Sequence, residues 1–305
     1  MRQAATVLLL REQEGDLEVL MMRRGAALSF MAGMWVFPGG RMEPADQSPA
    51  ALARVPRTAL DACGDRLHSM QGERLDAQSA LGLHVAACRE TFEEAGVLLA
   101  RDASGSPCSL ARVEQLQERR TEVNRDPSAF VRMLVEENLY LDVEPLVYWS
   151  HWITPSLEPK RFDTRFFVVP LPSGQAVNAD LSELTEHAWI NPATAAAALE
   201  RGEIRVVPPT LLTLEDLRDS YAEHGSLQSM LAAESHRATP AVMPRIEVQD
   251  DAFRVVMPWD PGYDQIPGEG CQPPQSFPEH FTRRRSSLTV TRQREVRWKG
   301  ESPGH

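Results

Sequence analysis

The stretch DAQSALGLHVAACRETFEEAGV, residues 76 to 97, decides how the rest of the chain is read. Asp76 is an N-cap type of residue and Gly96 a C-terminal stop, so the spacing predicts one helix from about Asp76 to Ala95. On a wheel of about 100° per residue with Arg89 at zero, Glu93 falls near 40°, Glu90 near 100° and Glu94 near 140°. The three carboxylates therefore share one face. Leu81, Val85, Cys88 and Phe92 fall close to the opposite side, which reads as an amphipathic helix with an acidic polar face. Like charges at these spacings repel by a few tenths of a kcal/mol per pair, and the helix C-terminus disfavours anions. An ordinary solvated helix has no use for that arrangement. Clustered oxygen donors suit a hard divalent cation, Mg²⁺ or Mn²⁺, better than zinc. Glu90, Glu93 and Glu94 are thus candidate metal ligands, and Arg89 is placed to pair with Glu93 at i+4 and orient it.

Upstream, SFMAGMWVFPGGRMEPAD (residues 29 to 46) carries a Gly-Gly turn after a short apolar strand. Before it, AATVLLL and LEVLMM flank REQEGD, the pattern of an antiparallel hairpin. Residues 47 to 75 hold weak helical pieces broken by Pro49, Pro56, Gly64 and Gly72. Downstream, a helix begins at Asp126-Pro127, followed by strands in LVYWSHWIT and TRFFVVPL. HAWINPATAAAALERG reads as a strand then a helix, and two further helices cover PPTLLTLEDLRDSYAEHG and GSLQSMLAAESHRA. After about residue 240, RIEVQDDAFRVVMPW suggests a hairpin, residues 260 to 279 a Pro/Gly-rich loop, and SLTVTRQREVRW a last strand. The expected organisation is a domain over 1–225, interrupted at about 47–80, and an extension over 226–305 ending in a basic tail.

Composition narrows the functional classes. The 305 residues carry a net charge of −11, against broad nucleic-acid affinity. Between 281 and 305, however, seven Arg or Lys stand against two Glu, read as a solvated segment or an anion-binding arm. No apolar stretch approaches the ~20 residues that span a bilayer. The opening apolar run is short and leads straight into charge, so it reads as a strand and not a signal peptide. Cys63, Cys88, Cys108 and Cys271 lack paired spacing, as expected of reduced thiols in a cytoplasmic protein.

Taken together, the two stretches resemble a Nudix box: Gly, five residues, Glu, seven residues, then Arg-Glu-aliphatic-any-Glu-Glu-any-Gly-aliphatic. Arg89, Glu90, Glu93, Glu94, Gly96 and Val97 match the second half, with Thr91 at the aliphatic position. In the first half Gly40 matches and Asp46 stands where the family has Glu. Residues 47 to 88 replace the seven-residue spacer, an insertion of 35 residues. Loop closure grows only logarithmically more costly with length, so such a loop can leave and return, available to wall the substrate pocket. LMMRRGAALSFMAGMWVFPGG also partly resembles the motif of coenzyme A pyrophosphatases in this family. Arg24, Gly33, Phe37, Pro38, Gly39 and Gly40 fit it, while Gly25 and Ser29 depart. The chain is more similar to the nucleoside diphosphate-linked moiety X motif 19 branch, which includes peroxisomal acyl-CoA diphosphatases. That likeness covers roughly residues 4 to 225 and includes WITPSLEPKRFDTRFFV. The chain does not end in Ser-Lys-Leu, so a peroxisomal location is not implied.

The resemblance implies an α/β (α+β) Nudix fold, a mixed sheet sandwiched between helices, and metal-assisted hydrolysis of a diphosphate. Glu90, Glu93 and Glu94 would hold Mg²⁺ or Mn²⁺, and Gly39 and Gly40 would bring backbone close to the diphosphate. The general base would be a box glutamate or a later-loop acid, Glu183 or Glu186. Arg24, and Arg161 or Arg165 in EPKRFDTRFF, are candidate phosphate binders, the other reading of the latter two being an Arg that pairs with Asp163 or caps a sheet edge; Phe162, Phe166 and Phe167 read as core. Asp46 is a candidate outer-sphere ligand, whereas His84 and His151 read as structural. Three alternatives stay open: a hydrolase of coenzyme A or acyl-CoA, a hydrolase of another nucleoside diphosphate derivative such as a sugar, dinucleotide or RNA cap, and a non-catalytic binding module. A homodimer is expected by analogy only. For 226–305 the sequence leaves three roles open: capping the sheet, completing the pocket with basic residues, or mediating dimerisation.

Overall fold

The computed structural model describes residues 1–25, 31–60, 63, 66–179, 184–250, 252–270, 277–278, 281, 287–291 and 296–297. Its centre is an eight-stranded mixed sheet. β1 (Arg2–Gln13) and β2 (Asp16–Arg24) form the expected hairpin, with Leu10 opposite Val19. β3 (Trp35–Val36) pairs with the far end of β2. β4 (Gly39–Arg41) folds back onto the start of β1, setting Gly39 against Thr6 and Gly40 against Ala5. On its other edge β1 runs parallel to β8 (Phe162–Pro170), itself antiparallel to β7 (Val147–Ile153). β9 (Leu184–Ile190) borders β2.

The central strand is apolar on both faces because both are covered, as expected for strands inside a sandwich. Ala5, Val7 and Leu9 point into one core, shared with α2 (Ala77–Ala95). Leu8 and Leu10 point into the other, beneath α6 (Pro192–Glu200), α7 (Pro208–His224) and α8 (Leu227–Glu234). Asp76 caps α2 by accepting from the Ser79 N–H, and Gly96 ends it in the left-handed region at φ 68°. The helix is not amphipathic in the expected sense: from Ala80 to Phe92 every residue is buried, the acidic face beginning under protein instead of water.

The insertion packs against α2 over its first part, and none of its described residues lines the cavity described below. Its short helix α1 (Pro49–Leu52) and 3₁₀ turn (Arg57–Ala59) bury Ala51, Val55, Ala59, Cys63 and Leu67 in the core shared with α2. At its far end His68 bridges Arg74 around a tight turn, where Gln71 and Gly72 are exposed and a Cβ on Gly72 would meet nothing within 4 Å. Between α2 and β7 lie β5 (Ala100–Arg101), α3 (Leu110–Gln117), α4 (Arg120–Arg125), α5 (Ser128–Glu136) and β6 (Tyr140–Leu141).

Residue 225 is not a structural break. Met230 of α8 is buried against the main core, and β10 (Ala241–Val242) joins the main sheet parallel to β7. A second sheet follows, four antiparallel strands: β11 (Arg245–Val248), β12 (Ala252–Val256), β13 (Ser287–Thr291) and β14 (Val296–Arg297). The basic tail residues Arg283, Arg284, Arg285, Arg292, Arg294 and Lys299, and Cys271, lie outside the described residues. Among the described residues no helix is long and apolar enough to cross a membrane.

Candidate active site

The site is built where β4 meets the C-terminal half of α2. A Cβ on Gly39 would fall 2.5 Å from the Ala5 carbonyl oxygen, and one on Gly40 would fall 2.4 Å from Glu90 Oε1. Only a glycine pair lets this strand approach β1 and the acid cluster at once. The Gly39 N–H donates to Glu94 Oε2 at 2.8 Å.

Arg89 organises the remaining acids and is only 1% exposed. Its Nε and Nη2 donate to the two oxygens of Asp46 at 2.8 and 2.9 Å. Nη1 donates to Glu90 Oε1 at 2.9 Å and Glu93 Oε1 at 2.8 Å, and Nη2 also reaches the Arg41 carbonyl at 2.8 Å. All five N–H donors are engaged. Asp46 is fully buried, with both oxygens on Arg89 and one also accepting from the Glu43 N–H. This corrects the outer-sphere expectation: Asp46 anchors Arg89, and its bond spans the 35-residue insertion. Arg120 holds the other end of the arrangement, donating to the carbonyls of Glu93 and Glu94 at the end of α2. No motif marks Arg120; the exposed carbonyls of any helix C-terminus were the one available signal.

Burial, followed by the neighbouring charges, raises all three glutamates. Burial lifts Glu90 to about 7, with Arg89 opposing and Glu93 reinforcing the shift. Glu94 is pushed up to about 8 by burial and then by Glu90, against the Gly39 hydrogen bond and Arg24. Glu93 is raised by burial against the pull of Arg89. Among the described residues no three acids, His or Cys converge closely enough to ligate one ion. Glu90 and Glu93 each turn one oxygen to Arg89, and Glu94 turns one to Gly39. The trio nevertheless fits a hard divalent cation in donor type and in charge, since a cation would favour the ionised carboxyls that burial, and then neighbouring acids, now disfavour.

All three glutamates line a cavity of about 1380 Å³, with Arg2, Arg24 and Arg41. Several predicted residues lie elsewhere. Arg165 is fully buried, paired to Asp163 at 2.7 Å and donating to the His68 carbonyl at 2.6 Å, so it braces β8 against the insertion. Arg161 donates to the Thr154 carbonyl and pairs with Glu269; neither arginine lines the cavity. Glu186 is exposed and pairs with Arg23 at 3.5 Å, because a register shift between Arg23 and Arg24 brings Leu184 to the cavity instead. Glu183 lies outside the described residues. Phe166 and Phe167 are core as expected, Phe166 also edging the cavity, while half-buried Phe162 lines it. His84, with Nδ1 on the Ala80 carbonyl, and His151, with Nε2 on Asp163, are structural.

A mixed sheet between helices, a Gly-Gly corner and three glutamates on the facing helix define a Nudix hydrolase, a class that in general uses divalent metal ions. The crystal structure of a NUDIX hydrolase from Alicyclobacillus acidocaldarius is 26% identical, covering 79% of this chain and 97% of that one with a TM-score of 0.60. The chain belongs to the NUDT19 Nudix domain family, whose sequence model matches residues 1–217. Relatives described as acyl-coenzyme A diphosphatase NUDT19 are 28% identical in Xenopus laevis, over 83% of this chain and 73% of that protein, and 27% identical in Homo sapiens, over 80% and 72%.

Proposed function

We propose that this protein hydrolyses the diphosphate of coenzyme A or acyl-CoA, giving 3′,5′-ADP and (acyl-)phosphopantetheine. The observation that carries the reading is the single cavity that joins the glutamate trio to arginines and a long apolar wall. A nucleoside diphosphate with a long, partly apolar appendage matches that division; the names of the NUDT19 relatives support it.

Glu90, Glu93 and Glu94 would hold Mg²⁺ or Mn²⁺, which when bound stabilises the charge that builds on the bridging phosphates. Arg89 fixes Glu90 and Glu93, and the Gly39 N–H fixes Glu94. Arg24, Arg41 and Arg2 supply positive charge for the substrate phosphates. Water attacks one phosphorus, the bond to the bridging oxygen breaks, and each product keeps one of the two phosphates of the cleaved diphosphate, the 3′-phosphate staying on the ADP. Glu94 is assigned the water's proton: alone of the three it is not held by Arg89, and Glu186 stands outside the cavity.

The test is a panel of coenzyme A, acyl-CoA, nucleoside diphosphate sugars, dinucleoside polyphosphates and capped RNA, each with Mg²⁺ and Mn²⁺, products identified by mass. Preferential release of 3′,5′-ADP is expected. Faster turnover of a sugar, dinucleotide or cap would replace this assignment by another Nudix substrate.

A further inference from the structure

The second sheet shows the alternation of an antiparallel sheet with one apolar face. Val248 stands opposite Phe253 and Ile246 opposite Val255, and on the next strand Val290 lies opposite Phe253. Directly opposed residues share a face, so these five side chains form one apolar surface. Glu247 and Arg254, opposed to each other, take the reverse face, where Arg254 also reaches Asp260. At one end the apolar surface is packed: Val255 and Leu288 are buried in the main core. Towards the other end it opens, and Val248 is 64% exposed; Leu157, which lines the same cavity, is 60% exposed. All five residues and Leu157 line the same cavity as Glu90, Glu93 and Glu94. Its volume of about 1380 Å³ exceeds the ~300–1,000 Å³ typical of small-molecule sites. A nucleoside diphosphate alone leaves much of it unfilled.

We infer that this sheet face, Ile246, Val248, Phe253, Val255 and Val290, binds the acyl chain of the substrate and makes the extension the element that selects acyl thioesters over free coenzyme A. The inference rests on the diphosphatase reading, whose polar end of the cavity would hold the rest of the molecule. An alkyl chain fits because the surface is continuous, apolar and joined to the acid cluster, with no charged side chain among the five.

The test measures affinity of the full chain, in EDTA, for coenzyme A and its butyryl, octanoyl and dodecanoyl thioesters by calorimetry, alongside the matching free fatty acids. Each methylene buried on the sheet is expected to tighten binding about fourfold. Val248→Glu, a change at an exposed position, is expected to flatten that chain-length dependence; Phe253→Ala is expected to weaken it. Glu247→Gln, on the reverse face, is expected to leave it intact. An equal dependence in wild type and Val248→Glu, or none in wild type, overturns the inference. Coenzyme A hydrolysed without chain-length dependence would sink the acyl wall and spare the diphosphatase reading. Fatty acids bound with that dependence, in a protein that neither binds nor hydrolyses coenzyme A, would do the reverse.

Discussion

The five N–H groups of Arg89 tie two glutamates, Asp46 and the Arg41 carbonyl into one buried unit. Lysine has three donors and no planar fork, so Arg89→Lys cannot reproduce this set. Divalent-ion affinity measured by calorimetry is expected to fall ~10–100-fold, as for other residues that orient metal ligands; wild-type affinity would remove Arg89 from that role. Glu94 gives a pH signature. Its folded pKa of about 8 lies above the ordinary 4.5, so the folded state binds the extra proton and stability is lost as pH rises from 4.5 through 8. Glutamine cannot ionise. In EDTA the Tm of Glu94→Gln is therefore expected to rise relative to wild type across that window, and added Mg²⁺ or Mn²⁺ to stabilise wild type more than the variant. A Tm difference independent of pH would contradict the assigned shift. At this scale the box residues were legible in sequence because their spacing on one helix fixes their relation. Arg165 was open between a phosphate contact and Asp163 two residues away, and Glu186 was not legible: the register shift at Arg23 that turns it from the cavity is recorded by no local pattern.

At the scale of elements, the acidic helix was read almost to the residue because both caps are local: Asp76 accepts from Ser79, and Gly96 alone can take φ 68° cheaply. What the sequence could not show is how the helix tolerates its acidic C-terminus. Arg120 answers that, placing a guanidinium on the last carbonyls, where the macrodipole and the glutamates are both negative. Arg120→Ala is expected to destabilise the fold by about 1–3 kcal/mol, a fall of several degrees in Tm. Asp76→Ala should cost about 1 kcal/mol. If Arg120→Ala melts like wild type, the capping account fails. Helices α3 and α4 are too short to show a periodic apolar face: α3 buries Val113 and Leu116 while Leu110 is exposed, and α4 has Val123 as its one apolar residue.

For the whole molecule, the boundary expected at residue 225 followed a resemblance and not a physical seam. β10 completes the main sheet, and Met257, Phe281 and Leu288 from the extension share a core with Trp149 and Leu214. The protein is therefore expected to unfold in one cooperative calorimetric transition, and a chain ending at residue 244 to melt earlier or aggregate because that shared core is opened. Two separated transitions would show the second sheet to be an independent unit. Charge composition gave no hint of this: the tail drew notice for its arginines, whereas the described strands of the extension contribute Ile246, Val248 and Phe253 to the cavity.

The hairpin tip at Gln71 and Gly72 stands clear of its surroundings, while the two ends of the inserted segment are clamped, one by the Asp46–Arg89 pair and the other by the Asp76 cap. Connectivity through the catalytic motif and its geometry are thus separable. A reporter domain or affinity handle spliced at this tip would ride on the outside of the molecule, tethered beside β7, β8 and β10, and the hydrolytic groups would not register its presence.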